Sequence, residues 1–106
     1  MNQTIKWMEP WWSLAESELI KAGIQKELGC EIGHLHPLWG LKPAVIAKSD
    51  ASDDVVVKLC DGRFACVHLT WNGRIDQQPS KFPVSIIFES VESLQTYISE
   101  IADRYT

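Results

Sequence analysis

An Asp-Gly pair, Asp61-Gly62, stands between two runs of strand-forming residues, DVVVKLC and RFACVHLTW, and constrains the fold more than any other feature. Asp-Gly suits the two central positions of a type I′ turn, so the sequence predicts a two-residue β-hairpin over residues 54–71. The turn would also fix the register of the two strands. That register pairs Leu59 with Phe64, Val57 with Cys66, and Val55 with His68.

Both faces of this hairpin are apolar, apart from Lys58 and Arg63 on the second face. A strand that is apolar on both sides is typical of a sheet that is covered on both sides. We therefore expect either helices on both faces or a second copy of the protein on one of them.

Helix and strand signals flank the hairpin. The run from Ser13 to Glu16 resembles a capping box and predicts a first helix that ends near Leu28, with Gly29 as its cap. Strands are expected at about residues 44–48 and in VSIIFE, where Val84, Ile86 and Phe88 would share one face. Ser90 precedes an apolar stripe of helical spacing that ends at Tyr105.

The order of these elements predicts the α+β class: an antiparallel sheet of about four strands, with an N-terminal and a C-terminal helix packed on it, in a single domain over residues 1–106. The amino terminus lacks the features of a secretory signal, and no stretch reaches the roughly 20 apolar residues of a membrane span. Three cysteines, an odd number, suit a reducing compartment, so we expect a cytoplasmic protein. The net charge is −4 and the basic residues are scattered, which disfavours nucleic-acid binding.

The alternation of Cys66 and His68 on one strand face raises the question of a reactive pair. Their Cα atoms would be about 7 Å apart, which suits a nucleophile and its base poorly. Apolar neighbours would also leave the Cys66 thiol inert. Phosphate-binding loops and hydrolase motifs are missing from the sequence, so we expect no catalytic residues and no cofactor.

Other polar clusters have weaker signals. Cys30, His34 and His36 lack the spacing of a structural zinc site, so no metal site is predicted. Asp50, Asp53 and Asp54 are typical of a solvated turn, with an acidic patch for a basic partner as the alternative. His68 is open to two interpretations: it lines a pocket with Thr70, or its ring is hydrogen-bonded within the fold.

Five tryptophans are many for a chain of 106 residues. Tryptophan fills cores and also anchors interfaces, and the sequence leaves both roles open. The five are Trp7, Trp11, Trp12, Trp39 and Trp71.

The segments HPLWG, DDVVVKL and DGRFACVHLTWNG, within residues 34–73, resemble a group of small uncharacterised bacterial proteins. Small chains of this type also resemble products of mobile gene cassettes. No activity is established for the group, so the resemblance implies no catalytic residue. It implies one structural or binding unit that contains His36, Gly40, Asp61, Gly62, His68 and Trp71.

The sequence favours a non-enzymatic binding module that contacts a protein partner or a second copy of itself as a homodimer. One version is an inhibitor or immunity protein whose acidic surface meets a basic toxin. The alternative is a small-molecule-binding protein or small enzyme with a pocket lined by His36, His68, Thr70 and Trp71. The interface candidates add Trp11, Trp12 and Trp39 to that set.

Overall fold

The computed structural model describes residues 5–105 and shows a five-stranded antiparallel sheet with a helix on each face. The strands are neighbours in sequence order, from β1 at one edge to β5 at the other. They are β1 (Trp11–Ser13), β2 (Ala44–Ser49), β3 (Asp54–Lys58), β4 (Phe64–His68) and β5 (Val84–Phe88), and the helices are α1 (Glu18–Glu31) and α2 (Val91–Tyr105). The α+β prediction is confirmed, with five strands in place of about four. The predicted domain span of 1–106 includes residues 1–4 and 106, which lie outside the described residues.

The predicted hairpin register is wrong by one residue. The Leu59 N–H donates to the Arg63 carbonyl at 2.8 Å, and the Gly62 N–H donates to the Leu59 carbonyl at 3.0 Å. The loop therefore has three residues, and among them only Gly62 has a positive φ, of 92°. Asp61 instead accepts the Arg63 backbone N–H at 3.1 Å, which holds the turn without a second positive φ. As a result Val57 pairs with Ala65, Val55 with Val67, and Val56 with Cys66.

The shifted register places the apolar residues of β3 and β4 in two separate cores. The core under α1, here the α1-side core, contains Ile24, Leu28, Val45, Val55, Val57, Ala65 and Val67, together with Leu38 from the loop that follows α1. The core under α2, the α2-side core, contains Trp11, Ala47, Val56, Phe64, Cys66, Phe88, Leu94 and Ile98. Helices on both faces thus match the first of the two expected arrangements.

The start of the first helix differs from the prediction. Ser13 is the last residue of β1, and its hydroxyl accepts the Ala15 N–H at 3.1 Å in a local turn. Trp11 and Trp12 pair with Ser49 and Lys48 of β2, so the capping-box residues precede the helix. α1 begins at Glu18 and continues through Gly29 to Glu31. At α2 the expected cap is present, because the Ser93 N–H donates to the Ser90 hydroxyl at 3.2 Å.

Candidate functional site

One end of the sheet combines two features that the sequence presents separately: the aspartates before β3 and the polar end of β4. Each aspartate carboxylate is hydrogen-bonded to an aromatic ring nitrogen of another segment of the chain. The pairs are Asp50 Oδ1 with Trp12 Nε1 at 2.8 Å, Asp53 Oδ1 with Trp71 Nε1 at 3.2 Å, and Asp54 Oδ1 with His68 Nδ1 at 2.9 Å. The aspartates therefore bind the chain's own side chains, which leaves less carboxylate free for a basic partner.

The His68 side chain is 54% exposed, and it is not wedged among aliphatic residues as the predicted register implied. Cys66 is buried on the same face of β4, where burial raises the pKa of its thiol to about 12. Burial, followed by the interaction with Cys66, raises the pKa of Tyr97 to about 12 as well. Cys66 therefore stays a protonated thiol at neutral pH and is unsuited to nucleophilic attack.

The backbone after β4 is held by a carboxylate that the sequence analysis missed. Glu31, 1% exposed near the end of α1, accepts the backbone N–H groups of Thr70 and Trp71, both at 2.9 Å. Glu27, one turn earlier, accepts the Gly73 N–H at 2.8 Å. Trp71 has a positive φ of 60°, a conformation that turns successive N–H groups toward an anion. The sequence offered one signal that could have identified Glu31: it is a glutamate next to the apolar positions of α1.

The carboxyl groups of Glu27 and Glu31 also interact with each other. Burial, followed by the contact with Glu27, raises the pKa of Glu31. The contact with Glu31 lowers the pKa of Glu27, so Glu31 takes up a proton at a higher pH than Glu27 does. Such a pair could serve acid–base chemistry, but here its oxygens accept hydrogen bonds from backbone N–H groups, so its role is structural.

His36 forms a buried clamp. Its Nε2–H donates to the Pro83 carbonyl at 2.7 Å, and its Nδ1 accepts the Leu38 N–H at 3.0 Å. These partners fix the tautomer, because a carbonyl can only accept and an amide N–H can only donate. Pro83 directly precedes Val84, the first residue of β5 and the cross-strand partner of His68, so the two histidines lie near consecutive residues, with one ring buried and the other exposed. Within residues 5–105, no three His, Cys, Asp or Glu side chains are grouped to hold a metal ion.

The tryptophans divide between core and surface. Trp11 is 3% exposed in the α2-side core, 6.3 Å from the Tyr97 ring, and its Nε1 has no hydrogen-bond partner among the described residues. Trp7 and Trp12 are half-buried. Trp39 and Trp71 are 58% and 49% exposed, so these two are the tryptophans available to a partner.

Trp39 stands beside an apolar cavity of about 430 Å³ between α1 and the loop that follows it. The buried side chains of Leu28 and Leu38 lie at its floor, and Gly29 of α1 has no side chain to fill the space. The Gln25 amide closes one side, because its Nε2 donates to the Pro43 carbonyl at 2.8 Å and its Oε1 accepts the Val45 N–H at 2.9 Å. The cavity thus combines apolar walls with an exposed indole.

We compared the chain with protein-family models, curated protein sequences and solved structures, and found no match. Neither helix in the described part of the chain has the length and apolar character needed to cross a bilayer. The arrangement of these residues is therefore the basis for assigning a function to the chain.

Proposed function

We propose that the chain is a non-enzymatic cytoplasmic binding module and that a partner protein inserts an apolar side chain into the cavity beside Trp39. The observation that carries the proposal is the 58% exposure of the Trp39 side chain next to an apolar cavity of about 430 Å³. Exposed tryptophans beside pockets are typical anchors of protein interfaces. Leu35, 57% exposed on the same loop, adds apolar surface.

A non-enzymatic role is supported by the state of the reactive groups. The Cys66 thiol is buried, both ring nitrogens of His36 bond to backbone, and Glu31 holds the backbone after β4. His68 is exposed but bonds to Asp54. These contacts within the chain favour a structural role for the four groups.

The nature of the partner is suggested by charge. The chain carries a net charge of −4, which favours association with a basic protein through long-range attraction. This supports the inhibitor or immunity version of the hypothesis, in which the cavity anchors the contact and the net negative charge of the chain steers the encounter.

A second candidate function is the binding of a small apolar molecule. Its support is the cavity volume, which lies within the range of roughly 300–1,000 Å³ that is common for ligand sites. The cavity is a better location for such a ligand than the surroundings of His68, because the ring of His36 and the backbone of Thr70 and Trp71 already bind within the chain.

The cavity can be tested with N-acetyl-phenylalanine amide as a stand-in for a partner's apolar side chain. We expect a saturable shift of the Trp39 indole N–H resonance in ¹H–¹⁵N NMR spectra. Gly29→Leu places a side chain in the cavity and should weaken this binding about tenfold or more. Gly23→Leu is the matched control, since both glycines lie in α1 with open space at the Cβ position, but Gly23 is not among the cavity residues.

Equal binding by wild-type protein and the Gly29→Leu variant, or no saturable shift of the Trp39 resonance, would count against the cavity as the binding site. If the cavity binds the probe, a basic partner should then bind the wild-type chain more tightly than Trp39→Ala, and more tightly at low than at high ionic strength. Binding of free small molecules but of no protein would favour the second candidate.

A further inference from the structure

β5 is an edge strand with one paired side. Its register with β4 runs without a break from Phe64–Phe88 to His68–Val84, so no bulge twists it away from other strands. In the part of the chain that the structure describes, β4 is the only strand paired with β5, and no loop backbone hydrogen-bonds to its outer side. The outer N–H and C=O groups of β5 are therefore available to another strand.

The two edges of the sheet differ in how well they are protected against pairing with a strand of another chain. β1 has only three residues, and this short length discourages pairing with another chain, whereas a proline precedes both edge strands, Pro10 before β1 and Pro83 before β5. β5 has five residues, VSIIF, with no proline or charged residue within the strand. Val84 and Ile86 are each 46% exposed on the side of the sheet that carries α2. An exposed apolar edge without these protective features is typical of a strand that pairs with a partner.

We propose that the partner is a second copy of this chain, with β5 of each protomer paired antiparallel about a two-fold axis near Ser85. This arrangement joins the two five-stranded sheets into one continuous sheet. It places Val84 opposite the partner's Ile86 and Ile86 opposite the partner's Val84, so the exposed aliphatic side chains cover one another. A two-fold interface uses the same patch on both protomers, as this one does.

Charge complementarity favours the antiparallel self-pairing. Lys81 lies three residues before β5 and Glu89 directly follows it. Antiparallel pairing brings the start of one strand to the end of the other, so each Lys81 approaches the partner's Glu89. The Glu89 side chain is 77% exposed, with one ion pair to Arg63 at 3.3 Å, so it is accessible to a second cation. A strand from an unrelated protein would lack this built-in match.

The proposed dimer surface goes beyond the proposed function and is separate from the Trp39 cavity, since no residue of β5 lines that cavity. The NMR titration measures probe binding at the Trp39 cavity of each protomer, and sedimentation measures the mass of the assembly. The two proposals can therefore succeed or fail separately.

Sedimentation velocity over about a hundredfold range of protein concentration tests the dimer. We expect a reversible dimer of the wild-type chain, with a dissociation constant raised about tenfold or more in Ile86→Lys, because pairing would bring a charge into an apolar contact. Leu19→Lys is the matched control: Leu19 is 91% exposed on α1 and its replacement should leave the dimer unchanged. Circular dichroism confirms that each variant is folded.

Lys81→Glu tests the arrangement without altering the strand itself. It should raise the dissociation constant several-fold at low salt and lose that effect at high salt, where exposed charges are screened. A wild-type chain that stays monomeric at all concentrations would overturn the proposal. So would a dimer that persists in Ile86→Lys or is lost in Leu19→Lys, and a dimer insensitive to Lys81→Glu at low salt would overturn the antiparallel pairing.

Discussion

At the scale of single residues, the polar side chains with candidate functional roles act mainly on the backbone of their own chain. His36 is the clearest case, because its two ring nitrogens satisfy a carbonyl of one loop and an N–H of another. A histidine beside a proline in a loop gives no sign in the sequence that its partner is Pro83, 47 residues away. The sequence could identify the residue as important, but only the tertiary structure assigns its role.

We predict that His36→Phe destabilises the protein by about 2–5 kcal/mol, because it leaves the buried Leu38 N–H and Pro83 carbonyl without partners. Urea unfolding measures the change. His34→Phe is the control: His34 is exposed, and its replacement should change the free energy of unfolding by less than about 0.5 kcal/mol. Similar stabilities of the two variants would mean that the clamp contributes nothing beyond the ring volume.

At the scale of elements, the Glu27–Glu31 pair joins the last turns of α1 to the segment after β4. The raised pKa of Glu31 means that the folded state holds a proton that the unfolded state releases above pH 4.5. Stability from this group is therefore present at low pH and falls as the pH rises from about 4.5 through the folded-state pKa. Glu27 acts in the opposite sense, because its lowered pKa makes stability fall as the pH drops below 4.5.

We predict that Glu31→Gln flattens the decline in stability above pH 4.5, since the titrating group is removed. Its carbonyl oxygen still accepts one backbone N–H, so the fold should persist with some loss of stability at every pH. Thermal unfolding at a series of pH values tests this. Glu18→Gln, at the exposed start of the same helix, should keep the wild-type slope, and a wild-type slope in Glu31→Gln would contradict a raised pKa of Glu31.

Local sequence signals predicted the central strands and α2, but they did not predict the hairpin register or β1. β3 and β4 follow from the strand-forming runs on either side of Asp61-Gly62, and α2 follows from helical spacing and the Ser90 cap. The register was missed because Asp-Gly is compatible with loops of two and three residues, and the side chain of Asp61 decides between them. β1 was missed because a three-residue strand has no periodicity of its own, and Trp11 and Trp12 become a strand only when β2 lies beside them.

The candidate site was less accessible to sequence reasoning than the fold. Trp39, Trp71 and His68 were among the candidate pocket or interface residues and are exposed, whereas Trp11 and His36 of the same set are buried. The cavity beside Trp39 escaped notice, because it depends on the distance between α1 and a loop that is folded by tertiary contacts. Glu31 was missed for a related reason: a buried carboxylate is recognised by the backbone groups it binds, and these lie 39 and 40 residues further along the chain.

At the scale of the whole molecule, the sheet separates two apolar cores that share its strands. Adjacent residues of β3 point into different cores, with Val55 and Val57 under α1 and Val56 under α2. Side chains in opposite cores cannot touch, but a backbone shift in a shared strand would affect both. If substitutions on opposite sides of the sheet change the free energy of unfolding additively, the strands hold their positions when one core is altered.

We predict that Ile24→Val in α1 and Ile98→Val in α2 each reduce stability by about 0.5–1.5 kcal/mol, since both side chains are buried. The double variant should lose the sum of the two to within about 0.5 kcal/mol, because the sheet lies between the substituted sites. Ile98→Val combined with Val56→Ala, both in the α2-side core, is the comparison in which a departure from additivity is expected. Urea unfolding followed by both fluorescence and circular dichroism provides the free energies. A coupling across the sheet as large as that within the α2-side core would mean that the strands move as the cores repack, and that the two faces act as one unit.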